Sequence, residues 1–134
     1  SGMDRTIDML RVIDPAAAYR RIEFDACVAG SDAGELVLLC IAHVRAALSQ
    51  AIWADRHDNR ELRVRSLGQA RSGLMALRVG VDRTNPLAND LLTLYGAMED
   101  SVTASQFSFN RSAMDRLTID LDDIAAVYSP SKAA

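Results

Sequence analysis

Apolar side chains recur at spacings of three and four along most of the chain, the period of one face of an α-helix. Leu67, Ala70, Leu74, Leu77 and Val81 form one such stripe. Leu87, Leu91, Leu94, Met98 and Val102 form a second, and Met114, Leu117, Leu121, Ile124 and Tyr128 a third. Starts and stops between stripes are equally legible. Asp14-Pro15 supplies an N-cap carboxylate and a proline at the first helical position, opening a helix through Tyr19, Ile22 and Phe24 that stops near Gly30. Asp32 with Glu35 three residues on is a capping box, so the next helix should run from Ala33 to about Asp55 and end in the polar turn Asp55–Asn59. Asn85-Pro86 closes a turn from Asp82 and opens a further helix; Asn110 or Ser112 caps the last one, which Ser129-Pro130 ends. Gly68, Gly73 and Gly80 lie within the Leu67–Val81 stripe, at about 1 kcal/mol each relative to alanine where exposed.

Long amphipathic helices on short links favour antiparallel neighbours. The expected fold is all-α: an antiparallel up-down four-helix bundle with an additional amino-terminal helix or arm, one domain over residues 1–134. Ser1-Gly2 ahead of Met3 reads as a tag-cleavage scar and residues 129–134 as a frayed tail. Residues 3–13 read as a mobile arm with Ile7, Leu10, Val12 and Ile13 apolar, too short for a stable lone helix.

The helix from Ala33 carries more apolar surface than one core needs. At about 100° per residue, one face collects Leu36, Val37, Cys40, Ile41, Val44, Ala47, Leu48 and Ile52. A second face collects Leu38, Leu39, Ala42, Ala46 and Trp53, separated from the first by Arg45 and Ser49 on one side and His43 and Gln50 on the other. Such a helix must be covered twice. Either the helix from Pro15 covers the second face, or the face is a groove for a partner helix, with Ile7, Leu10 and Ile13 of the arm as a lid until the partner displaces them.

Composition narrows the function. With 49% hydrophobic and 25% charged residues in 134, the chain can bury one real core. Net charge of −3 argues against a general nucleic-acid binder. Arg56, Arg60, Arg63, Arg65, Arg71, Arg78 and Arg83 do form a basic strip, but the interleaved aromatics of a single-strand binder are missing, so it reads as a solvated face. The longest apolar run, Leu36–Ala42, falls far short of the ~20 residues that span a bilayer, so no membrane insertion is expected. No signal peptide opens the chain, and Cys27 and Cys40 have neither disulfide-framework nor metal spacing; both point to a reducing, cytoplasmic setting.

Catalytic chemistry is sparse. Cys40 and His43 lie one turn apart, but two groups do not make a zinc site. Ser31-Asp32 is better explained as a helix cap than as a nucleophile pair. Asp115, Asp120, Asp122 and Asp123 read as a solvated acidic face, and no phosphate-binding glycine loop occurs. No glutamate has a histidine three residues on, as di-metal bundles require. The expectation is a non-enzyme with no cofactor and no metal.

Two segments resemble a known family. Val28-Ala29-Gly30-Ser31-Asp32-Ala33-Gly34-Glu35-Leu36-Val37-Leu38-Leu39 is similar to a Val-x-x-Ala-Ser-Pro-x-x-Leu-x-x-x-Leu signature, and Leu91-Leu92-Thr93-Leu94-Tyr95-Gly96-Ala97-Met98 to a Leu-x-x-Leu-Tyr-x-x-Met segment. The family is the flagellin export chaperones (FliS), and the resemblance extends from about Tyr19 to Tyr128. It departs at Asp32, where the family has proline, and at Ile41-Ala42-His43, where the family has Tyr-Asp-Gly. What it implies is a cytoplasmic chaperone, monomer or weak dimer, that binds the disordered carboxy-terminal segment of flagellin, prevents early polymerisation and delivers it to the flagellar type III export gate. The alternative is a generic helical-bundle adaptor or dimerising regulatory subunit with another protein partner.

Overall fold

A computed structural model describes residues 33–129 of the chain. The expected helix from Pro15, the arm with its lid residues Ile7, Leu10 and Ile13, Cys27, the Asp32 cap and the tail beyond Ser129 lie outside the described residues. Within them the chain is all-helical, with no strand: α1 (Ala33–Arg56), α2 (Arg60–Val79), α3 (Ala88–Phe107) and α4 (Arg111–Tyr128).

Each junction follows from local chemistry. After α1, the Asp58 N–H reaches Asp55 O at 3.2 Å and the Asn59 N–H reaches Ala54 O at 2.8 Å. That pair of bonds closes a helix end through a left-handed residue, here Asp58 at φ 57°. Asn59 then caps α2, its side-chain oxygen accepting from Leu62 N at 3.1 Å. Asn110 does the same for α4, accepting from Ala113 N at 3.0 Å. The α3 start departs from expectation. Asn85 Oδ1 accepts from Leu87 N at 2.8 Å and Asn85 O from Ala88 N at 2.9 Å, so the Asn85-Pro86 unit is spent as a turn. The helix begins only at Ala88. Leu87, expected in the buried stripe, is therefore 52% exposed; Ala88 is buried in its place, and Tyr95, outside the expected stripe, joins Met98 and Val102 in the core.

The core takes Cys40, Ile41, Val44 and Leu48 from α1, Leu67, Ala70, Leu74 and Leu77 from α2, Tyr95, Met98 and Val102 from α3, and Met114, Leu117, Leu121 and Ile124 from α4. Ala51 and Ala54, which the two-face reading did not assign, are also fully buried. Helix α1 packs on α2 and α4, α2 packs on α3, and α3 touches α4 only sparsely. Among the described residues the backbones of α1 and α3, and of α2 and α4, stay apart, and only their core side chains approach.

The tightest point is between α1 and α2. A β-carbon on Gly73 would lie 2.5 Å from Val44 Cγ2 and 3.1 Å from His43 Cδ2. Val44 is fully buried and β-branched, so its side chain is strongly held in one rotamer in a helix. Gly68, by contrast, would place a β-carbon no nearer than 4.0 Å from Gln106 Nε2. The same substitution should thus have opposite signs: Gly68→Ala raises stability by up to about 1 kcal/mol through helix propensity. Gly73→Ala lowers it by about 1–3 kcal/mol through overpacking. Denaturant midpoints of the two variants check this.

Tyr95 is 2% exposed, and its phenol is pushed up to about 12, chiefly by burial, with Tyr128 and Cys40 adding to the effect. The unfolded chain loses this proton near pH 10, while the folded chain keeps it. Stability should therefore be unaffected by Tyr95 below about pH 10 and fall between about pH 10 and pH 12, by about 2–3 kcal/mol at most. In Tyr95→Phe that alkaline decline should flatten, as chemical denaturation at stepped pH would show.

Candidate functional site

Because α1 enters the core through the Cys40–Ile41–Val44–Ala47–Leu48–Ala51 side, its opposite side faces outward. Leu39 is 38% exposed and Trp53 is 51% exposed. Ala42 and Ala46 are exposed, and Leu38 is half-buried at the margin. The strip from Leu38 to Trp53 is roughly 22 Å long at the helical rise of about 1.5 Å per residue. The structure places Leu39, Ala42, Ala46 and Trp53 together on one surface of one rigid helix, with Leu38 beside them.

Both long edges of the strip are tied to neighbouring helices. On one side Arg45 Nε pairs with Asp122 on α4 at 3.0 Å. On the other, Gln50 Oε1 accepts from the Ser66 hydroxyl of α2 at 2.9 Å, and the His43 ring lies against Gly73. At the carboxy-terminal end the Trp53 ring stacks on His57, with centroids 4.0 Å apart and planes at 19°. His57 Nδ1 also lies 2.8 Å from Trp53 O. Trp53 is thus held as a flat, half-exposed plate, a form suited to pressing on an apolar partner.

The second surface was not legible in the sequence. Where α3 and α4 diverge, Leu94, Ala97 and Ser101 face Ala113 and Leu117 across an open groove of about 190 Å³. Arg116 and Asp120, paired at 3.5 Å, line the same groove. Leu94 and Leu117 keep the core stripes that periodicity assigned them and also border the groove, while the small residues Ala97, Ser101 and Ala113 leave the space between the two helices unfilled.

Arg63, near the start of α2, joins three elements. Its Nη1 pairs with Asp55 of α1 at 3.1 Å, and its guanidinium lies 5.8 Å from the centroid of Phe109 in the α3–α4 link. Arg78 likewise bridges α2 to Glu99 of α3, with Nε at 2.7 Å and Nη2 at 3.4 Å. These arginines of the basic strip hold helices together and are not part of an open basic face.

Among the described residues no group of three or more histidine, cysteine or acidic side chains is arranged to hold a metal. Cys40 is a buried thiol in the core. Helix α1 does meet one criterion that the run-length argument missed. An 18-residue window within Gly34–Arg56 has a mean hydropathy of 1.6, enough by length and composition to cross a membrane. Polar residues interrupt the run, but two apolar faces raise the average; in the fold one face lies in the core and the other points outward.

No protein-family model matches this chain, and no curated protein matches it.

Exposed apolar side chains contribute little to stability, whereas a core leucine contributes much. Leu39→Glu and Trp53→Glu should each change unfolding free energy by under about 1 kcal/mol. Leu74→Ala should cost about 2–5 kcal/mol. Thermal and urea unfolding of the three variants would test whether the strip belongs to the surface or to the core.

Proposed function

We propose that this chain is an export chaperone of the flagellin-chaperone type, which holds the disordered carboxy-terminal segment of flagellin on the outward face of α1 until delivery to the flagellar type III export gate. The observation that carries the reading is the strip Leu39–Ala42–Ala46–Trp53, exposed on a helix whose other face is fixed in a core. A disordered tail that orders as an amphipathic helix can lay its apolar side there, with Ala42 and Ala46 allowing close approach. The proposal includes an antiparallel up-down path for the four helices, supported by their short links and by the pairing of α1 with α2, α2 with α3, and α4 with α1. It also includes a cytoplasmic setting and no catalytic step.

Tyr95 and Met98, the residues that carry the second segment of family resemblance, are core residues 2% and 3% exposed. That part of the resemblance concerns packing. Partner choice therefore rests on the α1 face, where the chain departs from the family at Ile41-Ala42-His43.

Calorimetric titration with the cognate flagellin's carboxy-terminal segment tests the reading. Wild type should bind it one to one, and Leu39→Glu or Trp53→Glu should weaken binding by at least about tenfold while melting changes little. Leu74→Ala should do the reverse. Loss of binding and stability in proportion would make the second face part of the core. A segment that does not bind at all would leave the adaptor reading.

A further inference from the structure

The described arginines fall into two sets. Arg45, Arg63, Arg78, Arg111 and Arg116 each pair with a carboxylate: Asp122, Asp55, Glu99, Asp115 and Asp120. Arg56, Arg60, Arg65, Arg71 and Arg83 pair with none, and all five lie on α2 or within four residues of its ends. Between Arg56 and Arg83 seven arginines stand against three carboxylates, in a chain whose net charge is −3. One of those carboxylates, Asp82, is already engaged by the Thr84 N–H at 2.9 Å and the Thr84 hydroxyl at 2.7 Å.

The same face of α2 is not simply polar. Val64, Met75 and Val79 are 36%, 40% and 67% exposed. With Gly68 and Arg71 they follow a spacing of four, three, four and four, a ridge running along the helix axis. At Gly68 the ridge is notched, since a β-carbon there would meet nothing closer than 4.0 Å. Arg60, Arg65 and Arg71 are exposed beside or within it, against one exposed carboxylate on the same face, Glu61.

We propose that this face of α2 docks an acidic amphipathic helix of another protein, its apolar residues on Val64, Met75 and Val79 and its carboxylates on Arg60, Arg65 and Arg71. A ridge of this spacing is what the a and d residues of a facing helix contact, and flanking charges of the opposite sign set the pairing. The chemistry disfavours the other anionic partners. No aromatic side chain is interleaved among these arginines to stack on bases. A membrane surface needs a broad apolar face, and the broad apolar face of α2 (Leu67, Ala70, Leu74, Leu77) is in the core. The proposal rests on residues separate from the α1 strip, so either can fail alone.

The probe is a synthetic peptide of about three heptads with leucine at a and d and glutamate at e and g. Its controls are the same composition with the leucines scattered around the helix, and the same pattern with lysine for glutamate. Fluorescence anisotropy should show binding of the patterned acidic peptide alone, weakening several-fold as salt rises from about 50 to about 300 mM. Arg65→Glu with Arg71→Glu should weaken it by at least about tenfold, and Val79→Lys should also weaken it. None of these exposed positions carries an ion pair in the fold, and circular dichroism should show the variants folded. Leu39→Glu on α1 should leave this binding unchanged.

Equal binding of the scattered peptide would overturn the proposal, as would binding indifferent to the arginine reversals or lost in Leu39→Glu. Tighter capture of oligo-dT or of phosphatidylserine vesicles through the same arginines would also overturn it. So would sedimentation showing that wild type self-associates and the double variant does not, which would make the occupant a second copy.

Discussion

Val44 Cγ2 occupies the space in which a β-carbon on residue 73 would sit. Because residue 73 is glycine, α1 and α2 can approach until His43 and Val44 rest on the α2 backbone. That approach sets the rotation of α1 about its own axis. Gln50 is brought to Ser66, Asp55 to Arg63, and Arg45 is turned the other way to Asp122 on α4. The remaining third of the α1 circumference, with Leu39, Ala42, Ala46 and Trp53, then has no choice but to face outward. The candidate site is a consequence of how closely two other faces are packed.

The same rotation accounts for the loose seam. With α1 holding both α2 and α4, and α2 holding α3 through Arg78 and Glu99, the one pairing not enforced is α3 with α4. Their facing residues include Ala97, Ser101 and Ala113, too small to bridge the gap, and a groove remains. Interiors pack at crystal-like density because each void forfeits contacts, so an opening of this size at a helix seam marks where packing was not enforced.

Charge is distributed by the same geometry. Arginines that point along helix seams find carboxylates on the neighbouring helix and act as cross-braces. Those on the outward side of α2 meet no carboxylate among the described residues, because no described helix covers that side. In the linear sequence Arg63 and Arg65 look alike. In the fold one lies beside Asp55 and the Phe109 ring, and the other stands in solvent.

By itself the sequence determined the helical class, the stripes of α2 and α4, the turn at Asp55–Asn59, Asn110 as one of two candidate caps, and the division of α1 into two apolar faces. These are local matters: a 3.6-residue period and a side chain that reaches its own backbone do not depend on what lies across the core. It misjudged Leu87, because whether Asn85 caps a helix or closes a turn depends on which backbone N–H its side chain meets. It also could not distinguish Gly73 from Gly68, since the difference is made entirely by Val44, 29 positions away in the sequence. Which arginines are paired and where the bundle leaves a groove were decided only by the tertiary structure, because each is a relation between helices that no single period encodes.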